Sequence, residues 1–334
     1  MEKSAWLDLV NEEILEPERP ICDPHHHLWD HPGSRYLLDE VLQDTGSGHN
    51  IVSTVFVECN SMYRREGAVA LAPVGETEFV QDIAAMSASG EYGDTRIAAG
   101  IVSFADLTLG ADVRPVLEAH AAASSRFSGI RHAAGWHAHD GIRNSHTNPP
   151  ESLMLNDTFR EGFAVLDDME LTFDAWFYHH QIPEFVDLAK AFPGVTIILD
   201  HFGGPLGIGP YDADETYPVW QDHIAELGTC TNVHFKLGGI NMKINGFNWH
   251  KRELPPTSDE LVDRTGRYYE FCIDQFGAER CMFESNFPVD RESCSYGILW
   301  NAFKKLTGSR SEDEKTALFH HTATRVYAIE GTSR

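Results

Sequence analysis

The chain has 334 residues, 42% hydrophobic and 23% charged, an ordinary composition for a globular protein with a sizeable core. Its 51 acidic against 26 basic residues give a net charge of -25, which opposes nucleic acid and anionic membranes, since both are bound through Lys and Arg. No stretch approaches the ~18 uninterrupted apolar residues of a membrane span. The opening MEKSAWLDLVNEEILEPERP lacks a basic segment followed by an apolar core, so it reads as an N-terminal extension (1–20) rather than a secretory signal, and points to the cytoplasm. Six cysteines without a C-x-x-C pair read as reduced structural residues.

From residue 21 onward, short β-rich apolar runs alternate with longer helical patterns. ICDPHHHLW (21–29) and IVSTVFVEC (51–59) come first, followed by the helical ETEFVQDIAAMSAS. RIAAGIVSF (96–104), helical ADVRPVLEAHAAAS, SGIRHA (128–133) and LTFDAWFY (171–178) continue the pattern. Helical HQIPEFVDLAKAF precedes VTIILDHF (195–202) and NVHFKLGG (232–239), and helical TSDELVDRTGRYYEFCIDQF precedes RCMFES (280–285). Strands alternating with helices imply parallel βαβ units, and eight of them predict one closed (β/α)8 TIM barrel spanning 1–334. No G-x-G-x-x-G opens a helix after the first run, which weakens a dinucleotide-binding fold.

Polar residues gather at the trailing ends of these runs, the face that carries a barrel's active site. They are Asp23 to His27, Glu58, Arg131 with His132, His179 with His180, Asp200 with His201, Lys236, and Glu284 to Asn286. Side chains alternate along a strand, so Asp23, His25 and His27 are expected on one inward face, where two imidazoles can reach one point near the axis. Such a pair suits a metal ion or a substrate carbonyl.

DPHHHLW, GIRH, LDHFGGP and ESNFPVD, with the HHTATRVYAI tail, resemble the amidohydrolase-related TIM-barrel hydrolases, a group that includes 2-pyrone-4,6-dicarboxylate and sugar-acid lactonases. The resemblance runs over nearly the whole chain and implies hydrolysis of a small lactone or a related ester or amide. It implies that His25 and His27 are the first-strand pair and His201 the sixth-strand histidine. His179, or His180, ends the fifth strand and would join His25 and His27 on one divalent metal, zinc or manganese; a metal-free mechanism stays open. Arg131 and His132 suit a substrate carboxylate, with Arg64, Tyr63 and Tyr178 as further binding candidates.

One departure from the group stands out. Where many relatives end the last strand in S-D-W-P, this chain reads Glu284-Ser285-Asn286-Phe287-Pro288, and Asn286 cannot accept a proton. Glu284, sharing its parity, is the first candidate to supply the carboxylate, Asp290 a second unless it caps a helix, and His201 or a metal hydroxide a third. Lys236 either aids an oxyanion or pairs with Glu284. The expected function is water attack on a small, anionic lactone. A metal-dependent decarboxylase is the second reading, and a catalytically silent ligand-binding barrel, suggested by Asn286, the third. Loops 134–157, 203–217 and 240–258 are expected to shape the pocket, with Trp136, His137, Phe247 and Trp249 stacking on a ring or packing the loops; exposed aromatic loops suggest a homodimer.

Overall fold

The computed structural model describes residues 3–329, so residues 1–2 and 330–334 of the expected unit lie outside the described residues. Eight parallel strands follow one another in chain order: β1 (Ile21–His26), β2 (Ile51–Val57), β3 (Arg96–Ser103), β4 (Phe127–Arg131), β5 (Thr172–Ala175), β6 (Ile197–Leu199), β7 (Val233–Leu237) and β8 (Cys281–Phe283). Each pairs with the next. The segment just past β8 returns to β1, where Asn286 N donates to the His25 carbonyl at 3.0 Å and His27 N to the Phe287 carbonyl at 2.9 Å. Those bonds close the expected barrel. Among the described residues, no helix is long and apolar enough to cross a membrane.

Strand alternation sorts the apolar residues into two layers. Cys22, Val55, Val57, Val102, Ile198 and Met282 fill the lower barrel interior, where Tyr327 and Ile329 from the C-terminal segment plug it. Phe56, Ile101, Ile130, Phe173, Phe235 and Phe283 face outward into the larger core beneath the helices. Helices are numbered in chain order from α1 (Lys3–Leu7) and α2 (Leu38–Thr45), and the helical patterns fold as read: α3 (Val74–Ala88), α4 (Arg114–Ala123), α6 (Ile182–Ala191) and α8 (Ser258–Phe276) each follow a strand, with α5 (Asp157–Asp168) between β4 and β5 and α7 (Ala213–Gly228) between β6 and β7. α8 begins with a reciprocal capping box between Thr257 and Glu260. The six cysteines are free thiols.

The N-terminal extension straps over the helices after β7 and β8. Trp6 Nε1 donates to the carbonyls of Arg252 and Glu253 at 3.2 and 3.1 Å. Glu12 accepts from the Ser258 amide at 2.8 Å, at the first turn of α8. Lys304 Nζ, on α9 (Tyr296–Leu306), donates to the carbonyls of Leu15 and Glu16 at 2.7 and 2.9 Å.

Strict alternation is interrupted at several points in the barrel, and one of them matters for the site. The β1–β2 register shifts between Asp23 and His26, around Pro24, which has no N–H to offer a ladder and sits at this bulge. Cys22 and His25 therefore both face inward, while Asp23 faces out and does not share the His25 face as expected. Its carboxylate accepts from Ser285 N at 2.9 Å and from Tyr296 Oη at 2.9 Å, tying β1 to the end of β8 and to α9. Removing the Tyr296 hydroxyl leaves a buried carboxylate oxygen short of its donor. Tyr296→Phe should lower stability by about 1–3 kcal/mol in urea denaturation; an unchanged midpoint would show that this clasp carries no load.

Candidate active site

The upper interior of the barrel is a network of buried charges. Glu284, one residue past β8, lies between two imidazoles: Oε1 accepts from His201 Nδ1 at 2.6 Å, and Oε2 lies 2.8 Å from His25 Nδ1. Burial opposes the Glu284 charge, but the two histidines outweigh it and hold its pKa down at about 2. A carboxylate held that low is a poor proton acceptor at neutral pH. Both rings are bonded to Glu284, and a pKa this low does not favour the base role that its parity suggested.

Beneath it Lys236, one residue before the end of β7, donates to Asp174 Oδ2 at 2.6 Å and lies 3.2 Å from Asp200 Oδ1. Burial works against this ammonium, and Asp174, Asp200 and Glu284 outweigh it, raising its pKa. The expected Lys236–Glu284 pair is thus replaced by Lys236 with two aspartates. Asp174 also accepts from Tyr327 Oη at 2.7 Å, so the C-terminal plug is bonded into the network. Burial brings Asp174 up to about 6.

Arg131, at the end of β4, donates through Nε to Glu58 Oε1 at 2.7 Å and through Nη2 to the Glu58 carbonyl at 2.6 Å. Its Nη1 lies 3.5 Å from Asp200 Oδ2 and 3.4 Å from His25 Nε2. His146, from the loop after β4, reaches Glu58 Oε2 at 3.1 Å. Burial opposes the Glu58 charge, and Arg131 with His146 outweighs it, lowering its pKa to about 2.

His201 owes its position to unusual backbone. His201, Phe202, Gly203 and Gly204 run through φ of 52°, 60°, 63° and 57°, a left-handed stretch that costs strain at the two non-glycine residues. Trp220 Nε1, on α7 (Ala213–Gly228), holds the turn by donating to the Phe202 carbonyl at 2.7 Å. Gly239 makes room for the ring: a Cβ there would lie 2.3 Å from His201 Nδ1. Trp176, beyond the end of β5, packs edge-on against His201 with centroids 5.0 Å apart.

Other expected members lie elsewhere. His27 is next to the cluster, its ring 4.9 Å from His25, with Nδ1 bonded to the Val57 carbonyl at 2.8 Å. His179 does not join His25: its Nδ1 accepts from Leu206 N at 3.3 Å and its ring packs on Tyr211, because β5 stops at Ala175 and the chain has already turned outward. His132 faces the helical layer between Phe104 and Phe159. Arg64 forms an exposed pair with Glu78. Tyr178 is buried, with its hydroxyl on the Arg143 carbonyl. Arg131 has every guanidinium nitrogen engaged by the protein. No free cation therefore waits for a substrate carboxylate among these candidates.

Trp249, hydrogen-bonded to Asn241 Oδ1 at 3.1 Å, is buried, and Phe247 packs on Tyr268; both pack loops. His137 bonds Tyr211 and Trp136 N bonds Gln181. Glu58 and Asp200 were visible as strand-end polar residues without a role. Asp174, Tyr327 and His146 were missed; an Asp inside the apolar run LTFDAWFY was the available signal.

One set of donor atoms converges: those of His25, Asp200 and His201 lie within 4.8 Å of one another. Burial, with Lys236 beside it, holds His25 well below the usual imidazole range and so neutral, as a metal ligand must be. Two imidazoles steadied by one carboxylate are a familiar support for a divalent ion. The donor set fits such an ion, with Asp200 in place of the expected His27 and His179.

The family model for amidohydrolase matches residues 22–329, nearly the whole chain. The chain belongs to the amidohydrolase family. It is a hydrolase by that membership. The uncharacterized protein y4mH of Sinorhizobium fredii is 32% identical to it over 331 residues, covering 92% of this chain and 98% of that protein. An L-fucono-1,5-lactonase of Burkholderia multivorans is 27% identical over 173 residues, 51% of this chain and 56% of the lactonase. A solved amidohydrolase from Burkholderia multivorans with bound zinc shares the fold at a TM-score of 0.72 and 22% identity, covering 92% of this chain and 99% of that one.

The charge network carries a direct stability test for this amidohydrolase. Lys236→Met leaves Asp174 buried without its cation and Asp200 with Arg131 alone, at 3.5 Å. Guanidinium denaturation should show a loss of about 3–5 kcal/mol, and a loss below about 1 kcal/mol, the scale of an exposed pair, would contradict the pairing.

Proposed function

We propose that the protein hydrolyses a small, hydroxylated and uncharged lactone, opening the ring to a hydroxy acid. The observation that carries this reading is Glu284 between His201 and His25 at the C-terminal face of the barrel, with Asp200 beside them. The family membership and the partial likeness to an L-fucono-1,5-lactonase support the same reaction class.

The uncharged substrate replaces the anionic one expected from sequence because Arg131 and Lys236 are both committed to carboxylates of the chain, which leaves neither free to receive a substrate carboxylate. A sugar-like ring instead suits Trp176, whose aromatic surface adjoins His201 at the mouth.

Ester hydrolysis needs an electrophile for the carbonyl oxygen, an oriented water and a proton path. His201 donates Nδ1–H to Glu284, which fixes its ring and turns Nε2 to the reacting groups. Glu284 keeps the ring from rotating as charge moves. His25 is fixed by Glu284 on one side and Arg131 on the other. A divalent ion, zinc or manganese, held by His25, Asp200 and His201 would supply Lewis acidity and lower the pKa of water. Lys236 and Arg131 each hold one oxygen of Asp200, at 3.2 and 3.5 Å, and so fix its carboxylate.

A panel of sugar and aliphatic lactones followed by acid release in a pH-stat tests the proposal. The expected result is ring-opened hydroxy acid with no carbon dioxide, and at least an ~100-fold loss of kcat in His201→Ala, the scale set by removing one electrostatic or proton-transfer partner. Carbon dioxide release from an unsaturated acid, or full turnover in His201→Ala, would contradict it.

A further inference from the structure

The N-terminal extension does not lie flat on the barrel. Between it, α2 and the start of α9 it leaves a cavity of about 280 Å³, and none of the residues that hold the reacting centre lines it. We propose that this cavity is a second ligand site, and that it takes a small zwitterion, an aliphatic α-amino acid, with the carboxylate against Arg291 and the ammonium against Asp44.

Two opposite charges face this space without meeting. Arg291 and Asp44 both line it, and among the described residues neither takes part in an ion pair. The chain meets the Arg291 guanidinium through one hydrogen bond, from Nη2 to Ser4 Oγ at 3.3 Å. It meets the Asp44 carboxylate through one as well, from Tyr36 Oη to Oδ2 at 2.9 Å. Burial raises the Asp44 pKa and Arg291 works against it, so the two charges stand within each other's field. A guanidinium carries five N–H donors and no acceptor, so Arg291 has donors the chain leaves unmet. Its Nε is buried without a partner. Arg267 Nε shares that condition, but its guanidinium is already paired with Asp214 and lies over the Tyr217 ring.

The backbone divides the walls in the same sense. α9 opens onto the cavity at Ser295 and Gly297, whereas α2 ends onto it at Asp44. A helix is positive at its start and negative at its end. Arg291 therefore shares its sign with the start of α9, and Asp44 shares its sign with the end of α2.

Size and lining select the ligand. The volume falls just below the roughly 300–1,000 Å³ of pockets for drug-sized molecules, so it suits one of amino-acid size. Leu7 and Val10 give the cavity an apolar side, which receives a short aliphatic chain. Asp8 and Glu12 also line it from the strap, and their charge favours an ammonium and opposes a second carboxylate. A ligand with one charge of each sign supplies the missing contact of both walls. A simple carboxylate or a simple amine supplies one and leaves the other unmet.

Isothermal titration calorimetry of the full chain tests the site. The probes are L-alanine, L-serine and L-valine, with sodium isovalerate and isobutylamine, which are L-valine without its amine and without its carboxylate. At least one amino acid should bind at one equivalent with a Kd of about 1 mM or tighter, and isovalerate and isobutylamine at least ~10-fold more weakly. Three variants locate the binding. Arg291→Met and Asp44→Asn each remove one charge and should weaken it at least ~10-fold, the effect of losing a hydrogen bond to a charged group. Ser47→Phe keeps both charges, fills the cavity from the end of α2, and should abolish binding. Circular dichroism checks each fold, and where one variant is unfolded the others carry the test from their own walls. The comparison with the singly charged probes needs the wild type alone. No binding of any amino acid, equal affinity for isovalerate or isobutylamine, or binding that survives in the folded variants overturns the site. The last outcome would place the ligand elsewhere, the catalytic mouth included. Turnover is not read, so the fate of the lactone reading and the fate of this site stay separate.

Discussion

A charge placed on the axis of a β-barrel must find its countercharge within the barrel, because no water is available to solvate it. That constraint organises the molecule above its apolar lower layer. Four carboxylates and two cations meet there with His25 and His201, and each ion reaches the next through contacts between about 2.6 and 3.5 Å. The C-terminal segment belongs to the same arrangement, since Tyr327 both plugs the barrel and donates to Asp174. The residues that stabilise the interior are therefore the residues that fix the site.

The arrangement also sets similar groups apart. Glu284 and Asp290 are both buried acids near His201, but two imidazoles hold Glu284 ionised at a pKa of about 2, whereas burial leaves Asp290 near 7. The strained left-handed turn at His201 fits the same logic, since rigid packing by Trp220 and the open space at Gly239 hold a ring where relaxed backbone would not.

The barrel was legible because eight apolar runs of strand character alternate with helical patterns, and each run contains a strand at its expected place. His25, His201, Glu284 and Lys236 were legible as candidates because they sit at strand interiors or just past strand ends, where parity still governs direction. Parity failed where backbone departs from a strand. The bulge at Pro24 turned Asp23 outward. The LTFDAWFY run extends three residues beyond the end of β5, so counting onward to His179 pointed into the barrel when the chain had left it. Partnerships across the interior were not legible: Lys236 meets Asp174 and Asp200 through the relative stagger of β5, β6 and β7, which no single segment encodes.

The central claim is that Glu284 grips His201 through a short charge-assisted hydrogen bond and thereby sets the reactive face of the ring. Proton NMR of protein labelled with ¹⁵N-histidine reads that bond directly. A strongly downfield, slowly exchanging His201 Nδ1 proton in the wild type, lost in Glu284→Gln, is the predicted result. A wild-type spectrum in which His201 carries no proton on Nδ1, or an Nδ1 signal unmoved by Glu284→Gln, would contradict the account.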